Sequence, residues 1–91
     1  MTQDEMTALV RDVGEGKASF APIKNELLIL GRMAAQIEGQ MGTGGRPTFE
    51  MLIAAWGQMA KAGEADAKQI LDGLQDHPTQ GAAVKRWLSQ L

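Results

Sequence analysis

The chain has no cysteine and no tyrosine, and among its 91 residues there are one histidine, two phenylalanines and two tryptophans. Without cysteine there is no disulfide framework and no thiolate metal site, which suits a reducing, cytoplasmic setting. Clustered basic charge is lacking too: nine Lys and Arg stand against eleven Asp and Glu, a formal charge of −2. Proteins that hold nucleic acid draw their affinity from grouped Lys and Arg, so this balance argues against such a partner. No apolar run approaches the ~20 residues that cross a membrane. The first residues, MTQDEMTALV, are acidic and interrupted by polar side chains, so neither a leader nor a membrane partner is expected. Strand grammar is missing as well. β-branched and aromatic residues never alternate with polar ones over four or more positions.

What remains is helix grammar. The length predicts one domain, residues 1–91, with one modest core. Thr2 to Glu5 fits a capping box, followed by Met6, Leu9, Val10 and Val13 at helical spacing, with Gly14 and Gly16 as a stop. Pro22 suits a first helical turn. After it, Ile23, Leu27, Leu30, Ala34, Ile37 and Met41 form one unbroken stripe. The stripe predicts the longest helix, about residues 21–41. Thr48 reads as the N-cap of a third helix whose inner face carries Phe49, Leu52, Ile53, Trp56 and Met59. Gly63 either ends that helix or bends it. A fourth helix holds Ala67, Ile70, Leu71 and Leu74 and stops at Pro78, and Thr79 reads as the cap of a last one with Ala83, Val84, Trp87 and Leu88. The expectation is an all-α bundle of four to five short helices.

No stretch of the chain completes a catalytic pattern. The stretch GQMGTGGRPT has Gly39 and Gly44 at the separation of a phosphate-binding loop. Gly45, Arg46 and Pro47 then stand where such a loop needs lysine and a hydroxyl, and a helix precedes it instead of a strand. A lesser role survives, in which Gly44, Gly45 and Arg46 hold an anion at the head of the third helix. The simpler reading is a helix connector. His77 has Asp72 and Asp76 nearby in sequence, yet it sits in a helix stop, where histidine commonly meets the last carbonyls. The two serines, Ser19 and Ser89, lie in no nucleophile motif and in none that would carry an acyl carrier's prosthetic group. The acids are scattered, with no Glu-x-x-His pair and no EF-hand loop. No catalytic residue, cofactor or metal is therefore assigned, and an enzyme is not expected. A helix-turn-helix reading of residues 9–23 meets Pro22 inside its recognition helix, and the stretch MAKAGEADAKQIL would turn Glu64 and Asp66 towards DNA.

The second helix carries more apolar surface than one core face needs. Leu28, Gly31, Ala35 and Gly39 form a second line beside the main stripe, with small residues every fourth position. Each glycine inside a helix costs ~1 kcal/mol relative to alanine, a cost that close helix packing offsets. Such a track accepts a helix of the same chain or of another. Met51, Ala55 and Ala62 give the third helix a similar excess, so it is either a buried central helix or part of an interface. Arg86 and Trp87 combine two residue types that often anchor interfaces. The expectation is a small cytoplasmic protein that binds another protein, as a regulator, inhibitor or assembly adaptor, and forms a homodimer. Its contact residues would be Leu28, Gly31 and Ala35, with Arg86 and Trp87 as a peripheral anchor. The alternatives are a DNA-binding regulator and an anion or nucleotide binder using residues 42–46.

Overall fold

Thr2 opens the first helix much as the capping pattern predicts. Its hydroxyl oxygen accepts the Glu5 N–H at 3.2 Å, but the Glu5 carboxylate takes the Thr2 hydroxyl proton instead of the Thr2 N–H. In this computed structural model, which describes residues 2–91, six α-helices follow and no strand is present among the described residues. They are α1 (Gln3–Gly14), α2 (Lys24–Arg32), α3 (Ala34–Ile37), α4 (Phe49–Lys61), α5 (Ala65–Asp72) and α6 (Gly81–Leu88). Short 3-10 turns at Ala21–Ile23 and Glu38–Gln40 flank α2 and α3. The radius of gyration, 11.9 Å, matches the roughly 12 Å of a closely packed chain of this length.

The centre of the bundle is α4. Thr48 caps it by accepting the Met51 N–H at 3.2 Å. Its apolar excess is resolved by enclosure: Leu52, Ile53, Ala55, Trp56, Gly57 and Met59 are all buried, against α1, α5, α6 and, more lightly, α2. Burying one such large side chain is worth ~1.5–3 kcal/mol, so this one helix supplies much of the core. Trp56 is fully buried, and its indole N–H donates to the Leu27 carbonyl at 2.9 Å, tying α4 to α2. Two glycines set how close the neighbours come. A Cβ on Gly14 would lie 2.8 Å from the Ala54 Cβ, and one on Gly57 would run into the Trp87 ring. At Gly63 the choice between stop and bend resolves to a stop. With φ at +98° it closes a turn, its N–H bonding the Ala60 carbonyl at 3.0 Å.

The single long helix predicted over residues 21–41 is divided into four pieces. At Met33 the backbone leaves the helical region, at φ −102°, ψ 8°, and α2 ends. The Met33 N–H still closes α2 on the Ile29 carbonyl, while its own carbonyl accepts from Gln36 and Ile37 and starts α3. Two physical causes lie on either side of the break. Gly31 weakens the helix from within and lets α2 press on Ile70 of α5. Beyond the break, Glu38 is held by His77 from the far side of the chain. The apolar stripe runs through the bend unchanged, so its spacing carries no trace of it.

The last helix departs from expectation at its start. Its N-cap is Gln80, not Thr79, and no side chain within that position caps it. The His77 carbonyl accepts the Gly81 N–H at 3.0 Å, and the His77 ring holds the turn before it.

Candidate functional site

The bend at Met33 opens one flank of the bundle. Beyond it, Ile37 and Met41 line one cavity with Leu30, and the loop from Met41 to Thr48 is held to α1 through Thr7. Between α2 and that loop lies a groove of about 420 Å³. Its floor is Leu52, and its sides are the half-buried Met6, Leu30, Ile37 and Met41 with Pro47. The polar groups around it are Gln3, Glu26, Gln40 and Arg46. A second depression continues past Gln3 and Glu26 towards Pro22. The size and the apolar lining, with a few polar groups at the edge, are those of a binding cleft. Two thioethers give its walls an adaptable shape. Ile29, which also lines the groove, and Met33 stand 51% and 45% exposed, which makes them, with Leu91, the large apolar side chains left most open among the described residues.

The loop wall is shaped from inside. Gly42, Gly44 and Gly45 have φ of +79°, +58° and +79°, conformations that side chains rarely adopt. The Gly42 N–H bonds the Pro47 carbonyl at 3.0 Å, and the Arg46 N–H bonds the Thr43 carbonyl at 3.0 Å. Thr7 of α1 pins the loop by donating its hydroxyl to the Gly45 carbonyl at 2.6 Å. Two of the loop's N–H groups, those of Gly42 and Arg46, are thus already bonded, and one orphan N–H of α4, that of Met51, is met by the Thr48 hydroxyl. The geometry is that of a shaped connector. Arg46 extends from it to the groove, its guanidinium 3.5 Å from the Thr43 carbonyl and in no ion pair among the described residues.

The other singled-out residues lie elsewhere. Leu28 is 6% exposed and belongs to the core, and Gly31 meets Ile70 of α5, so the close neighbour admitted by the small-residue track is a helix of the same chain. Ala35 is exposed and lines a shallow depression beside Ile70 and Leu74. Trp87 lies half-buried with its ring over Gly57, which makes it the piece that seats α6 on α4. Arg86 is exposed beside it, at the edge of a depression shared with Glu50 and Thr79. The structure therefore does not bring these five residues together as one surface.

His77 joins parts of the chain in a way that sequence distance hides. Its Nε2 pairs with the Glu38 carboxylate, 39 residues away, and not with Asp72 or Asp76. Its Nδ1 accepts the backbone N–H groups of Thr79 at 3.2 Å and Gln80 at 3.1 Å. The ring thus serves the turn that leads into α6 and not the carbonyls that end α5. Phe49 packs edge-on against it, the ring centres 4.9 Å apart. The Thr79 hydroxyl lies 3.3 Å from Nδ1, so carboxylate, imidazole and hydroxyl stand in a row that superficially resembles a catalytic triad. A general base needs a free lone pair, and this one already accepts two N–H groups. The chemistry available to His77 is that of a clasp between Glu38 and α6.

No protein-family model, no curated protein and no solved structure matches the chain.

Proposed function

We propose that this protein is a small non-enzymatic binding module whose working surface is the groove between α2 and the 41–48 loop. Its ligand is an amphipathic segment of another protein, laid into the groove as a helix with apolar residues at i, i+3 or i+4, and i+7. The observation that carries this reading is the groove itself, an apolar cleft of about 420 Å³ continued by the exposed Ile29 and Met33. Exposed apolar surface next to a cleft favours association, because covering it removes apolar area from water at ~25 cal/mol per Å². A module of this kind acts as a regulator, inhibitor or assembly adaptor, by occupying or joining partners.

The test is capture by the tagged protein, with co-expressed, differently tagged copies of the chain included as candidate partners. Wild type is compared with Met41→Arg, which plugs the groove with a charged side chain. The expected result is retention of a stoichiometric protein by wild type and its loss from an equally stable Met41→Arg. Equal retention by both would reject the groove as the binding surface.

A further inference from the structure

We propose that the groove carries an oxidation switch: hydrogen peroxide converts the thioethers of Met6, Met33 and Met41 to sulfoxides, which releases the groove's partner without unfolding the bundle. The inference rests on the reading of the groove as a protein-binding surface and concerns how that surface is regulated.

The chain has no thiol, so thioethers are its only sulfur. Their placement is uneven. Met6 of α1 and Met41 of the loop both line the groove and are half-buried. Met33 stands exposed one helical turn beyond Ile29, which lines the groove too. Met59 of α4 is fully buried in the core. Met51 is half-buried as well, but in a separate depression beside Arg11 and Gly14. Three of the five methionines described therefore sit in or beside the groove, on surface that water and peroxide reach.

In the oxidation, a sulfur lone pair attacks one oxygen of the peroxide. The O–O bond breaks, an S–O bond forms, and the departing hydroxide takes the proton left on the transferred oxygen and leaves as water. Sulfur gives up two electrons and the peroxide accepts them. The product puts a strong acceptor on a side chain that had been apolar. With the groove empty, Met6 and Met41 can turn that oxygen to water, and the fold loses little. With the groove filled, the same oxygen is shut against apolar residues of the occupant, which bring no donor to it. Oxidation and occupancy therefore oppose one another, and by the same linkage an occupant shields the sulfurs.

Peroxide treatment of the purified protein, read by peptide mass spectrometry, circular dichroism and capture, tests the proposal. Met33 should oxidise first, Met6 and Met41 next, and Met59 last. The helical signal and the melting transition should stay in place. Capture of the protein that untreated wild type retains should fall about tenfold or more, and methionine sulfoxide reductase should restore it. M6L/M33L/M41L keeps the groove apolar at nearly equal volume and should hold its partner through the same treatment. Met51→Leu should protect nothing. Capture that survives full oxidation of the three methionines, or that Met51→Leu alone protects, would overturn the inference. So would unfolding of the oxidised protein, or Met6 and Met41 reacting no faster than Met59. If untreated wild type retains nothing that Met41→Arg loses, the binding module itself falls, and the switch with it.

Discussion

The two sides of α2 present the same kind of surface and meet different fates. On one side Leu28 and Gly31 face α5, and Ile70 fills the space that the glycine leaves. On the other, Leu30 and Ile29 face a groove that no element of the chain fills. Both sides come from one nine-residue helix of ordinary composition. What separates them is how the chain continues past Arg32. Had α2 run on straight, residues 34–41 would have carried the stripe along the bundle. The turn at Met33 instead diverts them to form a wall. Apolar periodicity tells which residues leave water; it does not tell whether their partners lie in the same chain.

The largest effect should come from breaking the filled side. Leu28→Glu places an uncompensated carboxylate in the core, a cost on the order of 4 kcal/mol or more. A domain of this size has about 5 kcal/mol to lose, so urea denaturation should find this variant largely unfolded. The consequence reaches beyond stability. Leu28 is unsuited to any test of association, because its loss removes the fold before it removes a contact.

Gly57→Ala comes next. The added methyl meets the Trp87 ring, and a fused ring must move as a unit, which costs ~2 kcal/mol even after the ~1 kcal/mol gained in helix propensity. The melting temperature should fall. An unchanged one would mean that α6 is seated on α4 by something other than Trp87.

Much of this was legible beforehand, for identifiable reasons. The caps at Thr2 and Thr48 are local devices, closed within three residues, and short-range grammar suffices for them. The buried central helix was one of two readings of the apolar excess around Trp56, and burial is what the structure shows. The features that escaped depend on distant partners. The break at Met33 answers to Ile70 and His77, neither of which is near it in sequence. Thr79 has the hydroxyl of a helix cap, yet α6 starts one residue later than that cap requires, and the imidazole of His77 takes the N–H groups of Thr79 and Gln80 in the turn before it. The groove was the least legible feature, since Met6, Leu30, Ile37 and Met41 all read as core by their spacing. Two methionines and Ile37 beside a glycine-rich loop were the faint signal that this part of the core stays open.

The clasp between Glu38 and His77 offers a finer way to separate the two sides. His77→Phe keeps an aromatic ring against Phe49 and deletes both polar links. The expected loss of stability is ~1–1.5 kcal/mol. Its location is more telling than its size. Amide hydrogen exchange should quicken over residues 34–40, the wall of the groove, and at the start of α6, while α5 beside Gly31 stays protected. Uniform acceleration across all helices would show that the groove wall and the filled side open as one unit.

The smallest expected change in stability belongs to the residue next to the one with the largest. Ile29 is half exposed and turned away from the core, so Ile29→Glu should shift the unfolding free energy by no more than about 0.5 kcal/mol. Its effect on association should be large, because a carboxylate set into an apolar contact must shed its water with no group placed to receive it. At least a tenfold loss of groove-dependent capture is expected at unchanged melting temperature. Leu28→Glu and Ile29→Glu thus make the same chemical change at neighbouring positions and should fail in opposite ways, one by unfolding and the other by losing its partner. If Ile29→Glu unfolds the protein as well, Ile29 is part of the core and the groove is no surface at all. If it folds and associates as wild type does, the open side of α2 is simply exposed, and the working face of the molecule lies elsewhere.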